Sequence, residues 1–337
     1  MTRPTAALVA CVMLVAAAGA WETGCSGDPS ERRAERVLTY GFFAHFEPVS
    51  YGSHADLTDP DLVHLGYEAD LLTALESMAD TGLHFRRVPI AEWPDIWLAP
   101  ASEQFDLTGG GITILDSRTR DEGRPVVAFT DGHIGFRQTL LVRAADASRI
   151  HTHDDLGAHD VVGAVAGTTG EARLLQLIGI ADKHGVLLAG TQVETPQGTV
   201  TADGSDVFRI TAADPSAEFE QRTGIVPPGD LPRIVHLGED EELYLDALAD
   251  GRIDAFARGE IGNTDAARDS GGAFAVTAFD PQVERAGFAV AVEDTELLEL
   301  LNERINWLTN SGRIGYAEWS ANPDVFSLRA QRWNAGR

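Results

Sequence analysis

Two segments of this 337-residue chain carry residue types whose spacing could do chemistry. The first runs from Phe105 to Arg118, where an apolar strand ends in Gly109, Gly110 and Gly111. A backbone stripped of Cβ atoms lets a ligand come close and meet free N–H groups. Thr113 adds a hydroxyl, and Arg118 lies far enough along to fold back to the same spot. A planar guanidinium suits a carboxylate because two N–H bonds match two oxygens. The same residues equally describe a surface arginine paired with Asp116 beside a plain turn. The second segment, Val161 to Glu171, reads as strand, Gly167-Thr168-Thr169-Gly170 turn and helix start. Hydroxyls and open N–H groups at the positive end of a helix form an anion site, although threonine is also an ordinary helix cap. Without Gly-Lys-Ser/Thr the turn is no P-loop, and it is too short for a dinucleotide fingerprint.

The elements that must hold these segments alternate between strand and helix. Strands are expected at 36–41, 83–89, 105–108, 138–143, 161–165, 252–256 and 287–292. Helices are expected at 63–79, 171–180, 241–249, 297–309 and 314–320, from apolar residues at helical spacing such as Leu65, Leu71, Leu72, Leu75 and Met78. Alternation of this kind implies mainly parallel sheets covered by helices, an α/β class. Residues 190–232 break the rhythm with turn punctuation at Pro196-Gln-Gly198, Asp203-Gly204 and Pro227-Pro-Gly229, and read as an inserted hairpin or long loop.

Composition narrows the partners. The chain has 26 basic residues, all arginine except Lys183, against 52 acidic ones, a formal net charge of −26. Nucleic acid needs a basic footprint, and an anionic membrane would repel the chain; a surface poor in lysine and rich in acid suits solubility in high salt. The two cysteines, Cys11 and Cys25, both lie in the N-terminal segment, which leaves the folded body no disulfide framework and no thiolate metal site. His151-Thr-His153 is the closest histidine pair and reads as a solvated loop; no metal or cofactor is expected.

Thr2-Arg-Pro4 followed by the apolar run 6–20 reads as a signal peptide over 1–24, too short to span a bilayer comfortably. Ala18-Gly-Ala20 offers a cleavage site, and Glu22-Thr-Gly-Cys25 resembles a lipobox with Glu22 where an aliphatic residue is usual. Cys25 is therefore read as a lipid anchor or as part of a simply secreted chain, with a linker over 25–35. Either way the expected location is periplasmic or extracytoplasmic.

Seven motifs in order resemble one family. Phe46-Glu-Pro-Val-Ser-Tyr51, Leu65-Gly-Tyr-Glu-Ala-Asp-Leu-Leu72, Asp106 to Arg118, Phe129-Thr-Asp131, Gly167-Thr-Thr-Gly170, Leu248-Ala-Asp-Gly-Arg-Ile-Asp-Ala255 and Tyr316-Ala-Glu-Trp319 resemble the signatures of bacterial extracellular solute-binding proteins of the polar amino acid type, family 3, which serve ABC importers. The resemblance implies a two-lobed periplasmic-binding-protein type 2 fold: lobe 1 at 36–140 and 285–337, lobe 2 at 141–284, joined by two hinge strands. It implies a monomer that holds an amino acid or similar small carboxylate between its lobes and presents it to a membrane permease. It places Arg118 on the ligand's α-carboxylate, aided by Gly110, Gly111 and Thr113, with Thr168 and Thr169 donating from the other lobe, and Phe46 and Trp93 as aromatic wall. The family's acidic partner for the α-ammonium falls on Gly259 here. Either Glu260 takes that task by a one-residue shift, or the ligand lacks a standard α-amino group; a solvated surface acid is the third reading of Glu260. Two other functions fit the same scaffold. One is a cyclohexadienyl-dehydratase-like enzyme with Glu171 as general acid, and the other is a ligand-sensing subunit.

Overall fold

A computed structural model describes residues 35–213, 215–238 and 240–336. The signal-peptide reading, Cys11 and Cys25 lie outside the described residues. Long apolar runs build two separate sheets, each covered by helices, so the structure has the expected two-lobed α/β class. The first sheet orders its strands Leu83–Ile90, Arg36–Phe43, Leu107–Gly109, Ala289–Ala291 and Val127–Phe129. Its first three strands are parallel, and Ala289–Ala291 runs antiparallel to both of its neighbours. Leu38, Tyr40 and Phe42 are fully buried against Leu71, Leu72 and Leu75 of the helix Tyr67–Ser77, Leu301 and Ile305 of Thr295–Leu308, and Phe326 of Val325–Ala335. Each such aliphatic side chain contributes about 1.5–3 kcal/mol on burial.

The second sheet has eight strands, in the order Gly198–Thr201, Gln192–Thr195, Gly224–Val226, Arg233–His236, Val161–Ala164, Ala255–Gly259, Gln138–Arg143 and Phe274–Thr277. Its core gathers Leu140, Val142, Val162, Leu174, Leu175 and Ile234. Residues within 190–232 form a hairpin, Val193 facing Val200, and with Gly224–Val226 add three antiparallel strands to the edge of this sheet. The chain crosses between the sheets at Ile134–Phe136 and Glu284–Ala286, which pair antiparallel with Phe136 opposite Glu284.

Element ends moved where local chemistry dictates. The helix expected from Val63 starts at Tyr67, because Gly66 sits at φ 104° with Pro48 and Val49 carbonyls against it, a conformation closed to side chains. The strand expected at 252–256 starts at Ala255, since the N–H groups of Arg252 and Ile253 still bond Ala247 at the end of the preceding helix. The helix Val325–Ala335 was not anticipated.

Candidate functional site

The loop after Leu107–Gly109 is shaped by rings. A Cβ on Gly110 would overlap Phe43, and one on Gly111 would lie 2.5 Å from the Phe46 ring. Both glycines have positive φ, 131° and 71°, so two constraints at once exclude side chains there. The Gly111 N–H donates to Glu68 Oε1 at 2.9 Å. Glu68, fully buried, also accepts from Tyr40 at 2.9 Å and pairs with His133 Nε2 at 3.0 Å. This carboxylate beneath the loop was missed from sequence, because its partners come from three distant segments.

Facing the loop is the start of the helix Thr169–Leu177. Thr168 caps it by accepting from the Glu171 N–H at 3.2 Å. The first N–H groups of any helix lack intrahelical acceptors, and Thr168, Thr169 and Gly170 at this helix start line the adjoining space. That space is a cavity of about 90 Å³ lined by Gly111, Thr113, Thr168 and Thr169 together with Phe46 and Trp93. Six of the sequence-derived candidates thus meet at one place. Thr113 Oγ1 donates to Glu284 at 2.9 Å and lies 3.4 Å from Thr169 Oγ1. Trp93 donates its Nε1–H to Gly167 at 3.2 Å, tying the two loops together.

Three candidates lie off the cavity wall. Gly110 packs behind it on Phe43. Arg118 is fully buried just beneath. Its guanidinium donates to the Ala212 carbonyl at 2.9 and 3.2 Å, to Thr113 at 3.3 Å and to Gly167 at 3.5 Å. It lies 4.2 Å from the Trp97 ring centroid. Burial lowers its pKa, with Glu284 and Asp95 pulling it back up. Among the described residues no carboxylate is paired with it within 4 Å. Glu260, the first residue of a helix, instead takes a bidentate bond from Arg137 at 3.1 and 3.2 Å on a part-exposed surface.

Several wall residues were missed. Tyr244, Arg258, Gln138 and His45 line the cavity. Arg258 pairs with Glu241 at 3.0 Å, contacts the Tyr244 hydroxyl and lies 5.2 Å from the Phe46 ring centroid. Burial pushes the His45 pKa down, so it is neutral at pH 7. Glu171 is fully buried behind the turn and receives Arg222 Nε at 2.6 Å, His236 at 2.7 Å and the Gly167 N–H at 2.8 Å. Burial alone would raise its pKa, but Arg222 and His236 outweigh that and hold it well below the carboxylate range. Glu171 therefore positions the Gly167 loop and has no proton to donate. His151 and Thr152 donate their N–H groups to Asp155 in a short turn.

The comparisons agree with this geometry. Residues 38–320 match the model of the bacterial extracellular solute-binding proteins, family 3. The chain belongs to that family. A probable histidine-binding protein of Neisseria gonorrhoeae is 24% identical over 181 residues, 53% of this chain and 60% of that protein's length. An amino acid ABC transporter substrate-binding protein of Streptococcus pneumoniae, solved bound to L-arginine, superposes with a TM-score of 0.57 at 17% identity, over 87% of this chain and 96% of its own. An ancestral amino-acid-binding protein, a precursor of cyclohexadienyl dehydratase, superposes with a TM-score of 0.54 at 19% identity, over 88% and 95%. These likenesses establish the two-lobed fold. As a member of this extracellular family the protein is a solute-binding protein that works outside the cytoplasm.

Proposed function

We propose that the protein captures an amino acid or similar small carboxylate between its lobes and delivers it, as a monomer, to an ABC permease. The observation that carries this reading is Arg118, a buried cation with carbonyl and tryptophan-ring partners and, among the described residues, no paired carboxylate, beside a cavity lined by a helix start. A carboxylate placed there gains the guanidinium's charge, two backbone donors and the Thr113 and Thr169 hydroxyls. In this reading lobe 1 comprises 36–140 and 285–337 and lobe 2 comprises 141–284. The Trp93–Gly167 and Arg118–Ala212 bonds then join the lobes, so closure on the ligand and expulsion of water go together. Gly110 and Phe46 shape the loop and wall, and Glu260 braces Arg137. Anchorage through a lipid on Cys25, after removal of 1–24, would keep the protein near the permease.

The locked Glu171 favours binding over dehydration, since general acid catalysis needs a group that carries a proton at working pH. Thermal-shift screening against amino acids and related carboxylates tests the proposal, with prephenate turnover in parallel. Stabilisation by a carboxylated ligand without prephenate consumption is expected. Turnover of prephenate, or no stabilisation by any carboxylate, would overturn it.

A further inference from the structure

Among the described residues, Arg258 is the one permanently charged side chain on the cavity wall. It belongs to the strand Ala255–Gly259 and lies beside the helix start that faces the glycine loop, since a Cβ on Gly170 would be 3.4 Å from its Cα. Only 15% of the side chain is exposed, and its guanidinium is held from several sides. Nη1 donates to Glu241 Oε2 at 3.0 Å and contacts the Tyr244 hydroxyl. The Phe46 and Tyr244 ring centroids lie 5.2 and 5.4 Å from Cζ. A Cβ on Gly262 would come within 2.6 Å of Cζ and 2.7 Å of Nε, so the helix Glu260–Asp269 packs on that side and Nη2 is the arm farther from it. Among the described residues Nε and Nη2 form no hydrogen bond, and neither is sealed off from the surface.

We propose that Arg258 is the specificity residue of this site, its Nη2 arm donating to an acceptor oxygen, of a carboxyl or carboxamide group, at the far end of a small carboxylate ligand. The inference rests on the reading that the cavity holds a small carboxylate beside Arg118 and the helix start. A planar guanidinium with a free arm suits either kind of oxygen. Glu241 already balances the charge of Arg258, so the arm lacks an acceptor more than a counter-ion, and an amide oxygen qualifies beside a carboxylate. A ligand ending in an alkyl group would cover the arm and leave a desolvated donor unpaired. One ending in an ammonium would press a strongly hydrated point charge toward a like charge.

Isothermal calorimetry with L-glutamine, L-glutamate, L-norleucine and L-lysine, which share one backbone and differ at the far end, tests this. Glutamine and glutamate should each bind at least tenfold tighter than norleucine or lysine, the equivalent of about 1.4 kcal/mol. Arg258→Met should weaken glutamine and glutamate about tenfold relative to norleucine. Glu241→Gln, at a part-exposed position, removes the counter-charge and should favour glutamate over glutamine by a further threefold or more; it decides the question should the Arg258 variant not fold. Norleucine or lysine binding as tightly as glutamine and glutamate, an equal loss for all ligands in Arg258→Met, or an unchanged glutamate-to-glutamine ratio in Glu241→Gln would each overturn the assignment while leaving the carboxylate reading standing. Failure of all four to bind would overturn both.

Discussion

Replacing Arg118 by leucine removes a charge and a fork together, and the structure allows the two to be weighed separately. The fork onto the Ala212 carbonyl, at 2.9 and 3.2 Å, reaches from the glycine-loop side to the strand-rich segment of the second sheet. Hydrogen bonds from a charged donor contribute about 1.5–3 kcal/mol. The Gly167 contact at 3.5 Å lies at the limit of bonding and adds little. A ligand carboxylate about 5 Å from the guanidinium would gain about 3 kcal/mol at an effective dielectric near 20. The two losses sum to about 5 kcal/mol, more than a thousandfold in Kd. Arg118→Lys keeps the charge and loses the fork, so only the first loss applies and Kd should rise about tenfold to a hundredfold. Calorimetry on both variants, with circular dichroism to confirm folding, separates the terms. A leucine variant within twofold of the unmodified protein refutes the clamp; equal losses in the leucine and lysine variants refute the role of charge.

Three further outcomes follow from buried groups. His64 is buried between Phe42 and Ser50, and burial, with Arg87 nearby, lowers its pKa to about 3. The folded protein thus binds fewer protons than the unfolded chain between about pH 6.5 and 3, so stability is present above pH 6.5 and falls as pH drops, by up to about 1.4 kcal/mol per unit from this group. His64→Leu should flatten that part of a urea-denaturation pH profile; parallel profiles would refute it. Arg222→Leu strands the buried Glu171 carboxylate and should destabilise by about 3–5 kcal/mol, whereas a loss below 1 kcal/mol in urea titration would show the pair to be incidental. Gly66→Ala forces a Cβ to within 2.6 Å of the Pro48 carbonyl at φ 104° and should lower stability by about 2 kcal/mol or more, measured as a drop in Tm.

What could be read from the sequence was whatever local pattern encodes. The apolar runs at 138–143 and 161–164 announce strands, and Thr168 before a helical stretch announces a cap, so Thr168 and Thr169 were placed at a helix start facing a ligand. The glycines and Thr113 were legible for the same reason. Contacts made only by strand pairing were not. Arg258 comes to the cavity because it is opposite Thr139 in the ladder, and Gln138 because it is opposite Gly259. Nothing in the spacing of 120 residues between them reveals that. The type of Arg118 was readable but its depth was not, since burial comes from Trp97 below and Ala212 above. The helix Val325–Ala335 was legible as well, since Phe326, Ala330 and Trp333 fall at i, i+4 and i+7 and pack on the core of the first sheet.

The acidity of the chain and its use of carboxylate ligands pull in opposite directions until they are assigned to different dielectrics. The net charge of −26 resides largely on exposed side chains, and among the described residues the cavity wall holds no acid. Charges in water are screened over about 10 Å at 0.1 M salt and about 3 Å at 1 M, so the surface repels an approaching anion weakly, and less as salt rises. Arg118 and the N–H groups of Thr169 and Gly170 act over a few ångströms in an interior that salt does not enter, where the same charge counts for several times more. The buried acids near the site have their oxygens engaged by donors: Glu284 accepts from Thr113 and Gln138, Glu171 from Arg222 and His236, and Glu68 from Tyr40 and the Gly111 N–H. Their oxygens are turned into bonds that hold the loops in place, so the ligand's carboxylate meets the Arg118 side and the helix start rather than these acids.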